Sequence, residues 1–177
     1  MASIVNWQEL SREVVFQKYN RVIEKVVFKM PDGTEKDFYI KKERPAAAVL
    51  ALTPDKQVIL VKQYRPGPQK IILELPGGYT NKNEDAQTAI ERELLEETGY
   101  RGNIQHVTDS LDCAYSTMIR SCFVATDCMR VAEQKLEAAE FAEVTLVPLN
   151  EFKNIVRSGQ MTDVEVALLG LDFLKLL

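Results

Sequence analysis

Three glutamates, Glu93, Glu96 and Glu97, stand at i, i+3 and i+4 in the stretch GGYTNKNEDAQTAIERELLEETGY, Gly77–Tyr100. On a helix this spacing brings their carboxylates to one side, where like charges repel by roughly 0.2–0.5 kcal/mol per pair. A hard divalent cation such as Mg²⁺ or Mn²⁺ offsets that repulsion, because it prefers oxygen ligands. A solvated acidic helix face is the competing reading of an EExxE pattern. The context favours the cation. LELPGG places two glycines just upstream. A glycine turn lets backbone approach a ligand and can aim a carbonyl at a metal. Arg92 follows Glu84 by eight residues, so a bond between them would brace the loop that leads from Gly78 into the helix.

The elements around this stretch follow from periodicity and punctuation. From Glu84 to Thr98, Ala86, Ala89, Ile90, Leu94 and Leu95 recur at helical spacing, and Gly99 is the expected C-cap. The first third reads as β: EVVFQK, NRVIEKVVFKM and EKDFYIKK, with a Pro31-Asp32-Gly33 turn between the last two. AAAVLALT and QVILVKQYR form a further pair across Pro54-Asp55-Lys56. VILV is apolar throughout, as in a strand buried on both faces. IILEL resumes after PGPQ, and strands are expected around Asn103–Leu111, Ser121–Thr126 and in EFAEVTLVPL. Helices are expected over Leu149–Arg157, ended by Ser158-Gly159, and over Asp163–Leu177. This order predicts an α+β domain with αβα layering. A small antiparallel β subdomain is expected over residues 1–42, followed by the main domain over 43–177.

Composition narrows the function. The chain has 177 residues, 46% apolar and 27% charged, with net charge −4 and pI near 5.2. This is ordinary for a soluble globular protein and argues against a broad nucleic-acid or anionic-membrane surface. MASIVNWQEL lacks the basic region and apolar core of a secretion signal, and VALLGLDFLKLL is too short and too charged to span a bilayer. Cys113, Cys122 and Cys128 form no CxxC pair and leave one thiol over, which favours a reducing cytoplasm with cysteine as apolar filler. His106 is the only histidine, which excludes a His-based zinc cluster.

Gly78-x5-Glu84-x7-Arg92-Glu93-Leu94-x-Glu96-Glu97-x-Gly99-Tyr100 resembles the signature box of the Nudix hydrolases, with all seven fixed positions filled at the family's spacing. Only Tyr100 departs, at a packing position that is usually aliphatic. The resemblance implies a loop–helix–loop site on an αβα sandwich and Mg²⁺- or Mn²⁺-dependent hydrolysis of a diphosphate linked to another moiety. It also implies Glu93, Glu96, Glu97 and the Gly77 carbonyl as metal ligands, Glu93 as part of the catalytic centre, and Glu84 and Arg92 as braces.

From about Lys41 onward the chain is similar to the ADP-ribose pyrophosphatase and nucleoside-diphosphate-sugar hydrolase branch, in VKQYRPGPQKIILELPGG and in PLNEFKNIVRSGQMTDVEVALLGL. That likeness implies a nucleotide-sugar substrate contacted by Arg65, with Arg44 and Glu74 as further substrate-side residues. A guanidinium suits a diphosphate. A surface charge at Arg65 and a plain salt bridge at Glu74 are the alternatives. The branch takes its general base from a late acidic loop, here EQKLEAAEFAEV. Glu140 is the first candidate and Glu137 the second, while Glu143 falls on the following strand. The branch also implies a homodimer built through the N-terminal strands. One departure bears on the substrate. The proline expected sixteen residues after the box is Ser116, and a nearby acidic position is Arg120 or a neutral neighbour. Hexose nucleotides such as GDP-mannose or ADP-glucose therefore gain weight beside ADP-ribose. Two rival classes are a Nudix pyrophosphohydrolase for nucleoside triphosphates or RNA 5′ ends, and a non-catalytic nucleotide-sugar sensor.

Overall fold

Tight turns set the first three strands. The computed structural model describes residues 4–136 and 141–177. β1 (Gln8–Lys18) turns back through Tyr19 and Asn20 into β2 (Arg21–Lys29), and Asp32 anchors the turn into β3 (Glu35–Lys42) by accepting from the Thr34 amide at 2.9 Å. All three pair antiparallel in the order β1-β2-β3. This unit comprises Met1–Arg44 and Leu111–Ile119. The buried Glu24 accepts from Arg12 Nη1 at 2.5 Å and Lys42 Nζ at 2.7 Å, and these two cations hold its carboxyl below the ordinary range. Every residue of β1 is exposed.

The second unit, Pro45–Ser110 with Arg120–Leu177, has one mixed sheet. Its strands are β4 (Ala46–Leu52), β5 (Gln57–Arg65), β6 (Lys70–Glu74), β7 (Gly77–Tyr79), β8 (Tyr100–Leu111), β9 (Ile119–Arg130) and β10 (Ala142–Pro148). The main order is β10-β5-β4-β9-β8; β4 pairs parallel with β9, while β10 with β5, β4 with β5 and β7, and β5 with β6 pair antiparallel. β4 is buried along its whole length, which accounts for its run of alanine, valine and leucine. One face of the sheet, with Leu50, Leu52, Val58 and Leu60, packs on α2 (Leu149–Ser158) and α3 (Val164–Phe173) through Phe152, Val156, Val166, Ala167 and Leu171. The other face, with Ala47, Val49, Ala51 and Ile59, packs on α1 (Ala86–Thr98) through Ile90 and Leu94. The fold is therefore an αβα sandwich with a separate three-stranded antiparallel sheet.

The sheet splits between β4 and β5. The two strands pair with each other only at Ala51–Ile59 and Leu52–Val58. Beyond that, β5 pairs with β6 from Val61–Glu74 to Arg65–Lys70, while β4 pairs with β7 from Ala46–Tyr79 to Ala48–Gly77. The chain bends between β6 and β7 at Leu75-Pro76, and the Pro76 carbonyl accepts from the Val49 amide at 3.0 Å. This split carries Glu74 and Gly77 to neighbouring points.

Several element ends differ from expectation. β8 begins at Tyr100, directly after the helix, and β9 runs from Ile119 to Arg130, so both strands are longer than their apolar cores. α3 stops at Phe173 instead of Leu177, because Lys175 adopts a left-handed φ of 56° and the Leu176 amide turns back to the Leu171 carbonyl at 2.8 Å. Cys122 and Cys128 are buried and unpaired, and burial pushes both thiols up, Cys128 to about 11. Among the described residues no helix is long and apolar enough to cross a membrane.

Candidate active site

The acidic helix begins at Asp85, whose carboxylate accepts from the Thr88 amide at 2.8 Å and so caps the first turn. It ends at Gly99 in the left-handed conformation, φ 76°. Glu93 and Glu97 face the glycine strand. Glu97 Oε2 accepts from the Gly77 amide at 2.9 Å. Glu93 lies over Gly78, where a Cβ would stand 2.5 Å from its Oε1. Gly77 itself sits so close to β4 that a Cβ there would meet the Ala47 carbonyl at 2.3 Å. Glycine at position 77 is thus a steric requirement set by backbone, whereas a Cβ at position 78 would displace the Glu93 carboxylate from its place over the strand.

Arg92 ties the assembly together. Its Nε donates to Glu84 Oε1 at 2.9 Å and its Nη2 to Glu84 Oε2 at 3.0 Å. Its Nη1 reaches Glu93 Oε1 at 2.8 Å and Glu96 Oε2 at 3.2 Å. Glu84 also accepts from the Asn81 amide at 2.8 Å. The expected Arg92–Glu84 bond is present, and it closes the loop between Gly78 and the helix. As they stand, the three glutamates lean on different partners: Glu93 and Glu96 on Arg92, and Glu97 on Gly77. Among the described residues no three acidic, histidine or cysteine side chains already form a metal-holding group.

The bond to Arg92, helped by the Asn81 amide, holds the Glu84 carboxyl at about 2, against an ordinary 4.5. A depressed carboxyl contributes stability above its unfolded value, and that contribution is lost as pH falls through its folded value. The brace therefore stabilises the protein fully above about pH 4.5 and fades between there and about pH 2. Acid titrations of wild-type and Glu84→Gln protein, followed by circular dichroism, check this. The variant is expected to be less stable at neutral pH and to lose less on acidification over that window. Parallel acid curves would refute the assignment.

Arg65 and Glu74 meet at the open side of the split. Arg65 Nε lies 2.8 Å from Glu74 Oε1, and Nη2 lies 2.6 Å from Oε2. Gln63 Nε2 donates to the same Oε2 at 2.6 Å. Glu74 is 5% exposed and Arg65 48%, so a buried carboxylate anchors a guanidinium that reaches solvent. The anchoring uses Nε and Nη2, not Nη1. Glu97 and Asp163 act on Arg65 electrostatically, which places the pair in the field of the acidic helix. The salt bridge expected as the alternative for Glu74 is therefore real. Arg44 is exposed at the last residue of the first unit's N-terminal segment. Glu137 and Glu140 lie outside the described residues, and Glu143 is on β10.

The NUDIX domain profile matches residues 42–163. The chain belongs to the Nudix family. The ADP-ribose pyrophosphatase of Bacillus subtilis (strain 168) is 32% identical to this Nudix chain over 164 residues, which cover 89% of this chain and 87% of that protein. The ADP-ribose pyrophosphatase of Saccharomyces cerevisiae is 30% identical over 151 residues, 73% of this chain and 64% of that one. A crystal structure described as an ADP compounds hydrolase superposes with a TM-score of 0.81 over the whole of both chains at 18% identity, a likeness of fold. The chain is a Nudix hydrolase.

Sequence reasoning missed two features of this hydrolase. Gln63 is recognisable only once β5 and β6 are in register, since the Gln63–Ile72 pair lies two residues from Glu74. Arg120, at the start of β9, pairs with Asp163 at 2.9 Å and also with Glu165, 45 residues away in sequence. Burial pushes the Asp163 carboxyl up while Arg120 opposes the shift. The only sequence signal at Arg120 was a cation where the branch carries an acidic residue.

Proposed function

We propose that the protein hydrolyses the diphosphate of a nucleoside-diphosphate sugar, with ADP-ribose first and hexose nucleotides close behind. Water adds to one phosphorus and the bridging P–O bond breaks. The products are a nucleoside monophosphate and a sugar phosphate, AMP and ribose 5-phosphate in the case of ADP-ribose. The observation that carries this reading is the acidic helix laid on Gly77–Gly78 and locked by Arg92. Full-length similarity to a protein named ADP-ribose pyrophosphatase supports the substrate class.

The donor set fits a hard divalent cation, Mg²⁺ or Mn²⁺. Glu93, Glu96, Glu97 and the Gly77 carbonyl offer oxygen only, and the bond from the Gly77 amide holds the Glu97 carboxylate against the residue that bears that carbonyl. Such a cation neutralises the diphosphate and makes the attacking water more acidic. Arg65, anchored through Nε and Nη2, offers Nη1 to a phosphate oxygen. Glu74 holds Arg65 in place, Arg44 is a further substrate-side cation, and Glu140 or Glu137 accepts the proton from water.

A phosphate-release screen over nucleotide sugars, with Mg²⁺ and Mn²⁺, tests the reading. The expected result is a clear preference for one sugar. A buried polar group left unpaired by the wrong sugar costs roughly 1–3 kcal/mol, about tenfold to a hundredfold in kcat/KM. Ser116 stands where the branch carries proline and donates to Glu43 at 2.9 Å, which gives hexose nucleotides their standing in the panel. A triphosphate outrunning every sugar nucleotide would overturn the substrate class and leave the metal chemistry standing.

The first sheet is the proposed dimer surface. β1 is an exposed edge strand bearing Val14, Val15 and Phe16, each about half exposed, and such edges need cover. Light scattering at micromolar concentration is expected to give twice the chain mass. A monomer counts against the proposal.

A further inference from the structure

The last turn of α1, which carries Glu96 and Glu97, leaves carbonyls that the helix itself cannot satisfy. The Leu94 carbonyl accepts from the Thr98 hydroxyl, and the Leu95 carbonyl accepts from the Gly99 amide at 2.8 Å. The remaining partners come from one crossing segment just after β9. The Val131 and Ala132 amides donate to the Gly99 carbonyl at 2.8 and 3.1 Å, and the Lys135 amide donates to the Glu96 carbonyl at 2.8 Å. Gln134 Nε2 donates to the Glu97 carbonyl at 2.7 Å. The segment passes so near that a Cβ on Gly99 would stand 2.1 Å from the Ala132 carbonyl. Glu97 is therefore held twice: its peptide by Gln134 and its carboxylate by the Gly77 amide. Gln134 bonds the helix end through its side chain, whereas Val131, Ala132 and Lys135 bond the helix end and its cap through backbone amides.

We propose that Gln134 is a positioning residue for the metal-binding end of α1: its side-chain amide fixes the Glu97 peptide and, through it, the direction of the Glu97 carboxylate. This rests on the metal role proposed above for Glu97. The chemistry required at position 134 is a donor aimed at a helix C-terminal carbonyl, where the dipole also favours positive charge. Without it the final turn frays, as helix ends do, and frees the two glutamates nearest that end. The fold has separate support in Ile90 and Leu94, which bury the helix earlier along its length. Outer-shell partners of this kind typically change metal affinity or activity by about 10–100-fold.

Full-length Gln134→Ala, Gln134→Glu and Gln134→Lys proteins test it by calorimetric Mn²⁺ titration without substrate and by steady-state hydrolysis of the best nucleotide sugar. Alanine and glutamate are expected to weaken Mn²⁺ binding by about 10–100-fold, with kcat at limiting metal falling in step and KM at saturating metal unchanged. Lysine retains a donor and is expected to recover most of the loss. If the alanine protein fails to fold, the contrast between lysine and glutamate carries the test, because an ammonium can donate to the Glu97 carbonyl and an ionised carboxylate cannot. An alanine variant binding Mn²⁺ within about twofold of wild type, or a lysine variant as weak as the glutamate one, overturns the proposal. Glu97→Gln protein that binds Mn²⁺ like wild type would instead remove the metal role itself, whatever Gln134 does.

Discussion

Glutamine at position 97 is expected to leave a folded protein that hydrolyses its substrate about a hundredfold to a thousandfold more slowly. The magnitude is that of losing one strong electrostatic contact to developing charge. The substitution separates charge from geometry. A glutamine oxygen can still accept from the Gly77 amide, so the 2.9 Å tether between helix and glycine strand survives. What disappears is one negative charge of three. Repulsion across the helix face falls by roughly 0.2–0.5 kcal/mol per pair, so thermal stability should hold or rise slightly. Single-turnover phosphate release and Mn²⁺ titration on the same sample check both halves. An active Glu97→Gln enzyme that needs no metal sinks the proposal.

Glu140→Gln is the second large effect. A positioned general base typically contributes 10²–10⁴-fold, so kcat should fall by about that factor. Metal affinity should stay close to wild type, which distinguishes this variant from Glu97→Gln. The pH–rate profile should also lose its acidic limb, because the group that must be deprotonated is gone. The EFAEV pattern of the branch points to Glu140, and residues 137–140 lie outside those the structure describes. The test therefore has a built-in alternative. Near-wild-type Glu140→Gln with an inactive Glu137→Gln moves the base three residues upstream.

How legible the site was depends on the range of each interaction. The Glu84–Arg92 bond was readable because both residues lie on one short loop–helix unit, where sequence separation fixes spatial separation. The Gly99 end of that helix was readable for the same reason, while the Asp85 cap emerged only with the structure. The Arg65–Glu74 pair was half readable. Each residue was a candidate by itself, but their meeting needs the β5–β6 register that sets Val61 opposite Glu74 and Arg65 opposite Lys70. Arg120 with Asp163 and Glu165 was not readable at all. Arg120 and Glu165, 45 positions apart, meet because β9 pairs with β4 and α3 packs on the same sheet, and local pattern holds no trace of that. Ala46–Leu52 shows the same division for the fold. It was legible as a strand paired with QVILVKQYR, yet nothing in it announced that β5 would leave it after two pairs and that β7 would take over.

The parallel pairing of β4 with β9 also governs the protein's birth on the ribosome. Each register pair, from Ala46–Arg120 to Ala51–Ala125, spans 74 positions, the difference between its two residue numbers. At about 5–20 residues per second, β4 waits roughly 4–15 s after its own synthesis before β9 is made. Throughout that interval a seven-residue strand with no charge and no proline lacks the neighbour that flanks it in the finished sheet. α1 is made first and can shelter one face, but the helices that cover the other face, with Phe152 and Leu171, come last of all. Nascent chains halted between α1 and β9 should therefore be the ones that bind holdase chaperones and aggregate. Chains long enough to include α3 should escape.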